Sequence, residues 1–191
     1  MTVPVSADPE VATAVFTQHV AEVSASAQAR EHGWVFTPID PLHVVVTLTA
    51  TRPDGGHDTF HVKLGAEFYD AFPPTTSFVS PPRGEAPGVP PRNGWQEASP
   101  ASQWMPTVTA QTGFAVHHSY TYPPEASWPD MYRPPRQLVC CSMTFEYYIS
   151  SHTPTDGQRW TSGRHTLAAT LNRIQDALTD TYLGPSGADD S

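Results

Sequence analysis

Proline is concentrated in the middle of this chain, and its distribution divides the sequence into three parts. Of the 21 prolines, 12 lie between residues 81 and 135. Because proline has a fixed φ and no amide hydrogen, this density excludes long helices and central strands from that segment. A structureless stretch of this length is unusual in a compact domain and indicates an irregular, wrapping insertion. Regular elements are therefore expected before residue 81 and after residue 135.

The part before the insertion has the pattern of one helix followed by several strands. Asp8-Pro9-Glu10 is a typical helix start, and apolar residues recur at helical spacing until about His32, where Gly33 follows as a cap. Alternation of apolar and polar residues then predicts strands. They are expected at residues 34–36, 43–50, 60–64 and 75–79. Because short turns join them, an antiparallel four-stranded meander is predicted.

The part after the insertion predicts one further strand and a second helix. Residues 138–149 are apolar and rich in strand-forming side chains. Ser162 is placed to cap a helix, and Gly184-Pro185 to end it. The core-facing stripe of this helix is Leu167, Leu171, Ile174, Leu178 and Tyr182. We expect one α+β domain over residues 1–183, with an insertion at 81–135 and a disordered tail at 184–191.

Composition and charge argue against several classes of function. The formal net charge is −9 and basic residues are not clustered, so no nucleic-acid partner is expected. No apolar run approaches the roughly 18 residues of a membrane span, and the N-terminus lacks the features of a secretory signal. A cytoplasmic protein without a membrane partner is therefore expected. The two cysteines are adjacent and form no stapling disulfide, and neither a cofactor nor a metal is expected.

The segment Y-D-A-F-P-P-T-T-S-F contains Tyr69, Pro73, Pro74 and Phe78, whose spacing resembles a signature of the ubiquitin-conjugating enzymes. In that family a Tyr at the end of the meander is followed by prolines four and five residues later and by an aromatic residue nine residues later. Tyr69, Pro73, Pro74 and Phe78 match these offsets in the segment Y-D-A-F-P-P-T-T-S-F. The likeness extends over roughly residues 9–183, because Trp160 and the Leu-rich second helix also stand where the family has a Trp and a helix.

The chain also departs from the family pattern. Trp128-Pro129-Asp130 stands where the family has His-Pro-Asn, and Cys140 follows Asp130 by ten residues in the place of the nucleophilic cysteine. The insertion before Cys140 is longer than in typical eukaryotic members, and one C-terminal helix replaces three. These departures are similar to those of the divergent bacterial branch of the family.

The resemblance implies a conjugating enzyme of the ubiquitin-conjugating fold. Such an enzyme receives a ubiquitin-like protein from an adenylating activating enzyme, carries it as a cysteine thioester and transfers it to an amine of a protein substrate. Cys140 is the expected nucleophile, and Asp130 is a candidate base that would accept the proton of the attacking amine. A non-catalytic variant of the same fold, which binds a ubiquitin-like protein or another protein partner, is the alternative.

The residues themselves leave several assignments open. Strand alternation places Cys140 outward and Cys141 inward, but an offset of one residue would make Cys141 the nucleophile. Both cysteines are equally compatible with plain core packing, and Pro129-Asp130 with a simple turn. A Cys–His dyad with one of the histidines His117, His118 and His152 is a further possibility. An accessible Cys140 sulfur is the feature that separates the enzyme from the binding module.

Overall fold

A computed structural model describes residues 6–81, 94–97, 105–123, 135–150 and 152–186 of the chain. The described residues form an α+β fold, as predicted. Its helices are α1 Pro9–Ser24, α2 Ala27–His32, α3 Phe145–Ile149 and α4 Leu167–Asp180. Its strands are β1 Val35–Asp40, β2 His43–Thr51, β3 His57–Gly65, β4 Thr75–Ser80, β5 Gln96–Glu97, β6 Met105–Val108, β7 Phe114–Tyr120, β8 Arg136–Cys141 and β9 Tyr182–Ser186.

The first five strands form one antiparallel sheet in chain order. Each strand pairs with the next, so the predicted antiparallel meander is confirmed, with the short β5 as a fifth strand. β1 is an edge strand and tolerates Pro38, which lies opposite Val44. The turn between β2 and β3 is closed by a hydrogen bond from the Arg52 amide to the Gly56 carbonyl, and Gly55 adopts a positive φ of 86°.

The main core lies between one face of this sheet and the helices α1 and α4. Alternate residues of β2 and β3 are buried on this face, and α4 packs its stripe against β2. Main-core residues include Phe16, Val44, Val46, Leu48, Phe60, Val62, Leu64, Leu167, Leu171, Ile174 and Leu178. The predicted stripe is therefore confirmed from Leu167 to Leu178, because burial of that one face fixes the helix on the sheet.

The helices differ from the sequence prediction at their boundaries. The single N-terminal helix is interrupted, because the Ser26 hydroxyl accepts a hydrogen bond from the Ala29 amide and caps a second helix. Gly33 ends that helix with a φ of 67°, as predicted. Thr166, not Ser162, caps α4; the Ser162 hydroxyl donates a hydrogen bond to Asp70 instead.

The C-terminal segment also departs from the prediction. α4 ends at Asp180, and Tyr182 belongs to β9 rather than to the helix. Residues 184–186, assigned to a tail by the sequence, lie in β9 and pair with β6. Residues 187–191 lie outside the described part of the chain.

The described residues of the insertion contain strands that the proline density argued against. β6 pairs with β9, and β7 pairs with β8, in two antiparallel ribbons. Pro106 lies opposite Pro185 in the first ribbon. The prediction of little regular structure is therefore wrong for these residues, because a two-stranded ribbon tolerates proline where a central strand does not.

Tyr69 connects the two ends of the chain. Its hydroxyl oxygen accepts a hydrogen bond from the Leu167 amide at 3.1 Å and lies 2.6 Å from His19 Nδ1. The Trp160 indole N–H donates to the Asp70 carbonyl at 2.8 Å, and the Trp160 ring contacts the Tyr69 ring. The peptide bond between Tyr69 and Asp70 is cis. The segment that carries the resemblance therefore joins α1, the sheet and the start of α4.

Gly65, the last residue of β3, gives a direct test of this packing. A Cβ at Gly65 would lie 2.6 Å from Glu67 Oε2 and still closer to the Thr75 hydroxyl oxygen. Gly65→Ala is expected to lower the free energy of unfolding by about 1–3 kcal/mol, because the strand end must shift. Urea denaturation measures the change. The matched control is Gly157→Ala, where an added Cβ meets open space. Its change is expected to stay within about 0.5 kcal/mol, and equal losses in both variants would contradict the steric argument.

Candidate functional site around Cys140

The two cysteines end β8, a strand that is buried along its whole length. All six residues of β8 are buried. On one side β8 pairs with β7. On the other side the Thr76 hydroxyl of β4 donates to the Val139 carbonyl at 3.0 Å and lies 3.3 Å from the Val139 amide. The cysteines thus lie on a buried strand rather than at the rim of an open cleft.

The cysteines face opposite sides of β8, as strand alternation predicts. Cys141 packs with Val139 in the main core. Cys140 enters a separate group of buried side chains, here called the second cluster. Its other members are Phe68, Tyr122, Leu138, Phe145 and Tyr147. Cys140 is 3% exposed and Cys141 0%, so the face of Cys140 that points away from the main core is covered by the second cluster.

The covered position suppresses the reactivity of both thiols. Burial is the main cause that raises the pKa of Cys140 to about 12, and the charges of the nearby Glu146 and Cys141 act in the same direction. A hydrogen bond with the Ser150 side chain has the opposite, smaller effect on the Cys140 pKa. Burial also raises the pKa of Cys141 to about 12. Because the thiolate is the nucleophilic form, only about one thiol in 10⁵ would be reactive at pH 7.

Glu146, a residue of α3, is the main polar group beside this cluster. Its carboxylate is buried and accepts a hydrogen bond from the Tyr122 hydroxyl at 2.6 Å and from the Thr76 amide at 3.1 Å. Burial raises the pKa of Glu146 to about 7, although these donors and the charge of Arg136 favour the ionised form. Sequence reasoning missed this residue, although a lone Glu in the apolar run from Met143 to Ile149 was a visible signal.

Ser150 and Tyr120 add a second polar contact near the Cys140 thiol. The Ser150 hydroxyl donates to the Glu146 carbonyl at 2.8 Å, and the Tyr120 hydroxyl lies 2.9 Å from Ser150 Oγ. Burial is the main cause that raises the pKa of Tyr120, and the Glu146 and Cys140 charges add to it. The contact between Tyr120 and Ser150 connects β7 to the C-terminal end of α3 near the Cys140 thiol.

The nearby histidines do not form a dyad with Cys140. The His117 ring contacts Tyr120, and the His152 ring stacks on Tyr147 at 4.8 Å. Burial lowers the pKa of His117, and the charges of His152 and His118 lower it further. Among the described residues, the side chains that shift the Cys140 pKa are those of Glu146, Cys141 and Ser150, none of them a histidine. The described residues also contain no group of three or more His, Cys, Asp or Glu side chains arranged to hold a metal ion.

Asp130 and its neighbours Trp128 and Pro129 lie outside the described residues. The proposed role of Asp130 as a base beside Cys140 is therefore still a prediction.

No protein-family model, curated protein or solved structure matches this chain. Within the described ranges, none of the helices has the length and apolar character needed to cross a membrane.

Proposed function

We propose that this chain is a non-catalytic protein-binding module with the topology of the ubiquitin-conjugating fold. The burial of both cysteine sulfurs carries this proposal, because a thioester carrier needs a sulfur that the C-terminus of a modifier can reach. A pKa of about 12 for each thiol also disfavours nucleophilic attack near neutral pH. Its partner is a ubiquitin-like protein or a protein that works with one.

The assignment to this fold rests on the order and contacts of the elements. An N-terminal helix precedes an antiparallel meander, and residues 69–78 comprise the end of the β3–β4 connection and the first four residues of β4. A cysteine-bearing strand, Trp160 and the C-terminal helix α4 follow. Trp160 bonds to the Asp70 carbonyl, and Tyr69 bonds to the first residue of α4. Three of the features that carry the resemblance, namely Tyr69, Trp160 and the start of α4, are therefore in contact with one another.

A conjugating enzyme acting through Cys140 is the second candidate. The surroundings of Cys140 support this candidate function. This cysteine faces away from the main core and lies beside the polar groups of Glu146, Ser150 and Tyr120. Only a local movement of the second cluster would then be needed to reach the sulfur. Cys141 has no such environment, because it is enclosed by the main core.

Loading of single cysteine variants distinguishes the two candidates. The chain is mixed with ATP and with a cognate pair of adenylating enzyme and ubiquitin-like protein, and adducts are separated without reducing agent. The binding module predicts no adduct that a thiol reagent cleaves. Calorimetric binding of the ubiquitin-like protein is then expected to be unchanged in the double variant Cys140→Ala, Cys141→Ala.

A thiol-cleavable adduct would overturn the binding-module proposal. Loss of that adduct in Cys140→Ala but not in Cys141→Ala would establish the enzyme and identify its nucleophile. Cys140→Ser would then give an oxyester that resists thiol cleavage, because an alkoxide is a poorer leaving group than a thiolate. In that case Asp130→Ala is expected to leave loading intact and slow the transfer to an amine.

A further inference from the structure

We propose that α3 and Tyr122 form a proton-linked cover over the Cys140 thiol, held closed while Glu146 is protonated and released when Glu146 ionises. This inference concerns access to the sulfur, and it holds whether or not Cys140 carries a modifier.

The cover is a thin layer built from side chains of distant segments. Phe145 of α3 stacks on Phe68 with ring centroids 4.0 Å apart and meets Phe72 edge-on. Its amide donates to the Pro74 carbonyl at 3.1 Å. Tyr122 joins the same cluster from the segment after β7. Because α3 has only five residues, its position depends on these contacts rather than on its own helical stability.

The Glu146 carboxylate joins three parts of this layer. It lies on α3 and accepts hydrogen bonds from the Thr76 amide of β4 and from the Tyr122 hydroxyl. The Thr76 hydroxyl lies 3.4 Å from its second oxygen. A change in the charge of this one group therefore acts on α3, on β4 and on the segment that carries Tyr122 at the same time.

Among the residues that the structure describes, the groups around Glu146 offset its negative charge only in part. β4 presents the neutral Thr76, and the segments next to β7 present the phenols Tyr120 and Tyr122. β8 presents the thiols Cys140 and Cys141 together with one cation, Arg136. α3 itself adds the phenols Tyr147 and Tyr148. Arg136 also lies 3.8 Å from Glu97 on β5, so its charge is shared between two carboxylates.

Ionisation of Glu146 therefore favours the open layer. A buried carboxylate without water is costly unless it is fully paired, and opening restores its hydration. The folded-state pKa of about 7 lies above the ordinary value of 4.5. Between these two values the closed layer holds a proton that the open layer has released. Opening is thus expected to increase as the pH rises through this range and to level off above about pH 7.

The rate of thiol labelling measures this opening. The background variant Cys141→Ala leaves Cys140 as the one thiol, and the full chain is labelled with an aromatic disulfide reagent at several pH values. Each rate is divided by the rate of the same chain carrying Glu146→Gln, which cancels the intrinsic titration of the thiol. The ratio is expected to rise by up to roughly 10-fold per pH unit between about pH 5 and pH 7, then to stay constant.

Two further measurements make this test specific. In the background Cys140→Ala, Cys141 is expected to be labelled far more slowly than Cys140 at every pH, because this thiol belongs to the main core and is exposed only when the whole domain unfolds. Tyr122→Phe replaces Glu146→Gln in this test if the Gln variant does not fold. It removes one hydrogen-bond donor to the ionised Glu146 carboxylate. Its labelling rate, divided by that of the unmodified background, should keep rising above pH 7. A constant ratio for Cys140, or equal labelling rates for the two cysteines, would overturn the proposal, since the second result indicates that Cys140 is exposed only by unfolding of the whole domain.

Discussion

Replacing Glu146 by Gln is expected to raise the free energy of unfolding by roughly 3 kcal/mol at pH 8, an estimate from about 1.4 kcal/mol per pKa unit. The carboxyl has a pKa of about 7 in the folded chain against 4.5 for an ordinary glutamic acid. Between these values the folded protein holds a proton that the unfolded chain has released. The stability of the native protein therefore falls as the pH rises from about 4.5 to 7, and Glu146→Gln removes this fall.

Urea denaturation at pH 5, 6, 7 and 8 measures this effect as a difference between the two proteins. Other titrating groups contribute equally to both proteins and cancel in the difference. Glu31→Gln on α2 is the matched control, because it makes the same chemical change at an exposed side chain. This control is expected to stay within about 0.5 kcal/mol of the native protein at every pH. If the free energies of unfolding of the native protein and Glu146→Gln change in parallel with pH, the buried carboxyl is not the source of the pH dependence.

The elements that the sequence predicts well are those set by local periodicity. β2 and β3 extend over the predicted alternating segments, since each places every second side chain in the main core. Gly33 ends a helix as expected, because a positive φ is easy for glycine. The antiparallel order of the meander follows from turns of a few residues, such as Gly55 and its neighbours.

The elements that the sequence does not predict depend on partners far away in the chain. β6 pairs with β9, which lies more than 70 residues later, and neither strand alternates clearly. The strand expected at residues 138–149 stops at Cys141, where Thr144 Oγ1 accepts from the Cys141 amide and turns the chain into α3. Such a turn depends on one side chain, and the apolar pattern on both sides of it is continuous.

The candidate site has one feature that the local sequence pattern predicts and others that depend on distant parts of the chain. Alternation predicts that Cys140 and Cys141 face opposite sides of their strand, and they do. It does not predict what covers Cys140, because the cover comes from Phe68 and Phe145, which are 77 residues apart in sequence (145 − 68). The sequence does not predict the role of Glu146 for the same reason, since its hydrogen-bond donor Thr76 lies 70 residues before it.

Phe145→Ala is expected to destabilise the protein by about 3–5 kcal/mol, as for other buried aromatic residues. Phe145 has no exposed surface and packs between Phe68 and Phe72. The cavity would lie in the second cluster, directly beside Cys140. Leu171→Ala is the matched control, because Leu171 is also fully buried but belongs to the main core, with an expected loss of about 2–5 kcal/mol.

Thiol labelling under native conditions separates the two variants where stability alone does not. With Cys141→Ala and Cys140→Ala as the two backgrounds, each cysteine is observed by itself. Phe145→Ala is expected to accelerate labelling of both cysteines to a similar extent, because Phe145 becomes exposed both when the layer over Cys140 opens and when the whole domain unfolds. Leu171→Ala is expected to accelerate labelling of Cys141 at least tenfold more than labelling of Cys140, since Leu171 stays buried in the main core when only the layer over Cys140 opens. Equal acceleration of both cysteines in Leu171→Ala would mean that the second cluster has no independent opening and that Cys140 becomes accessible only when the main core unfolds.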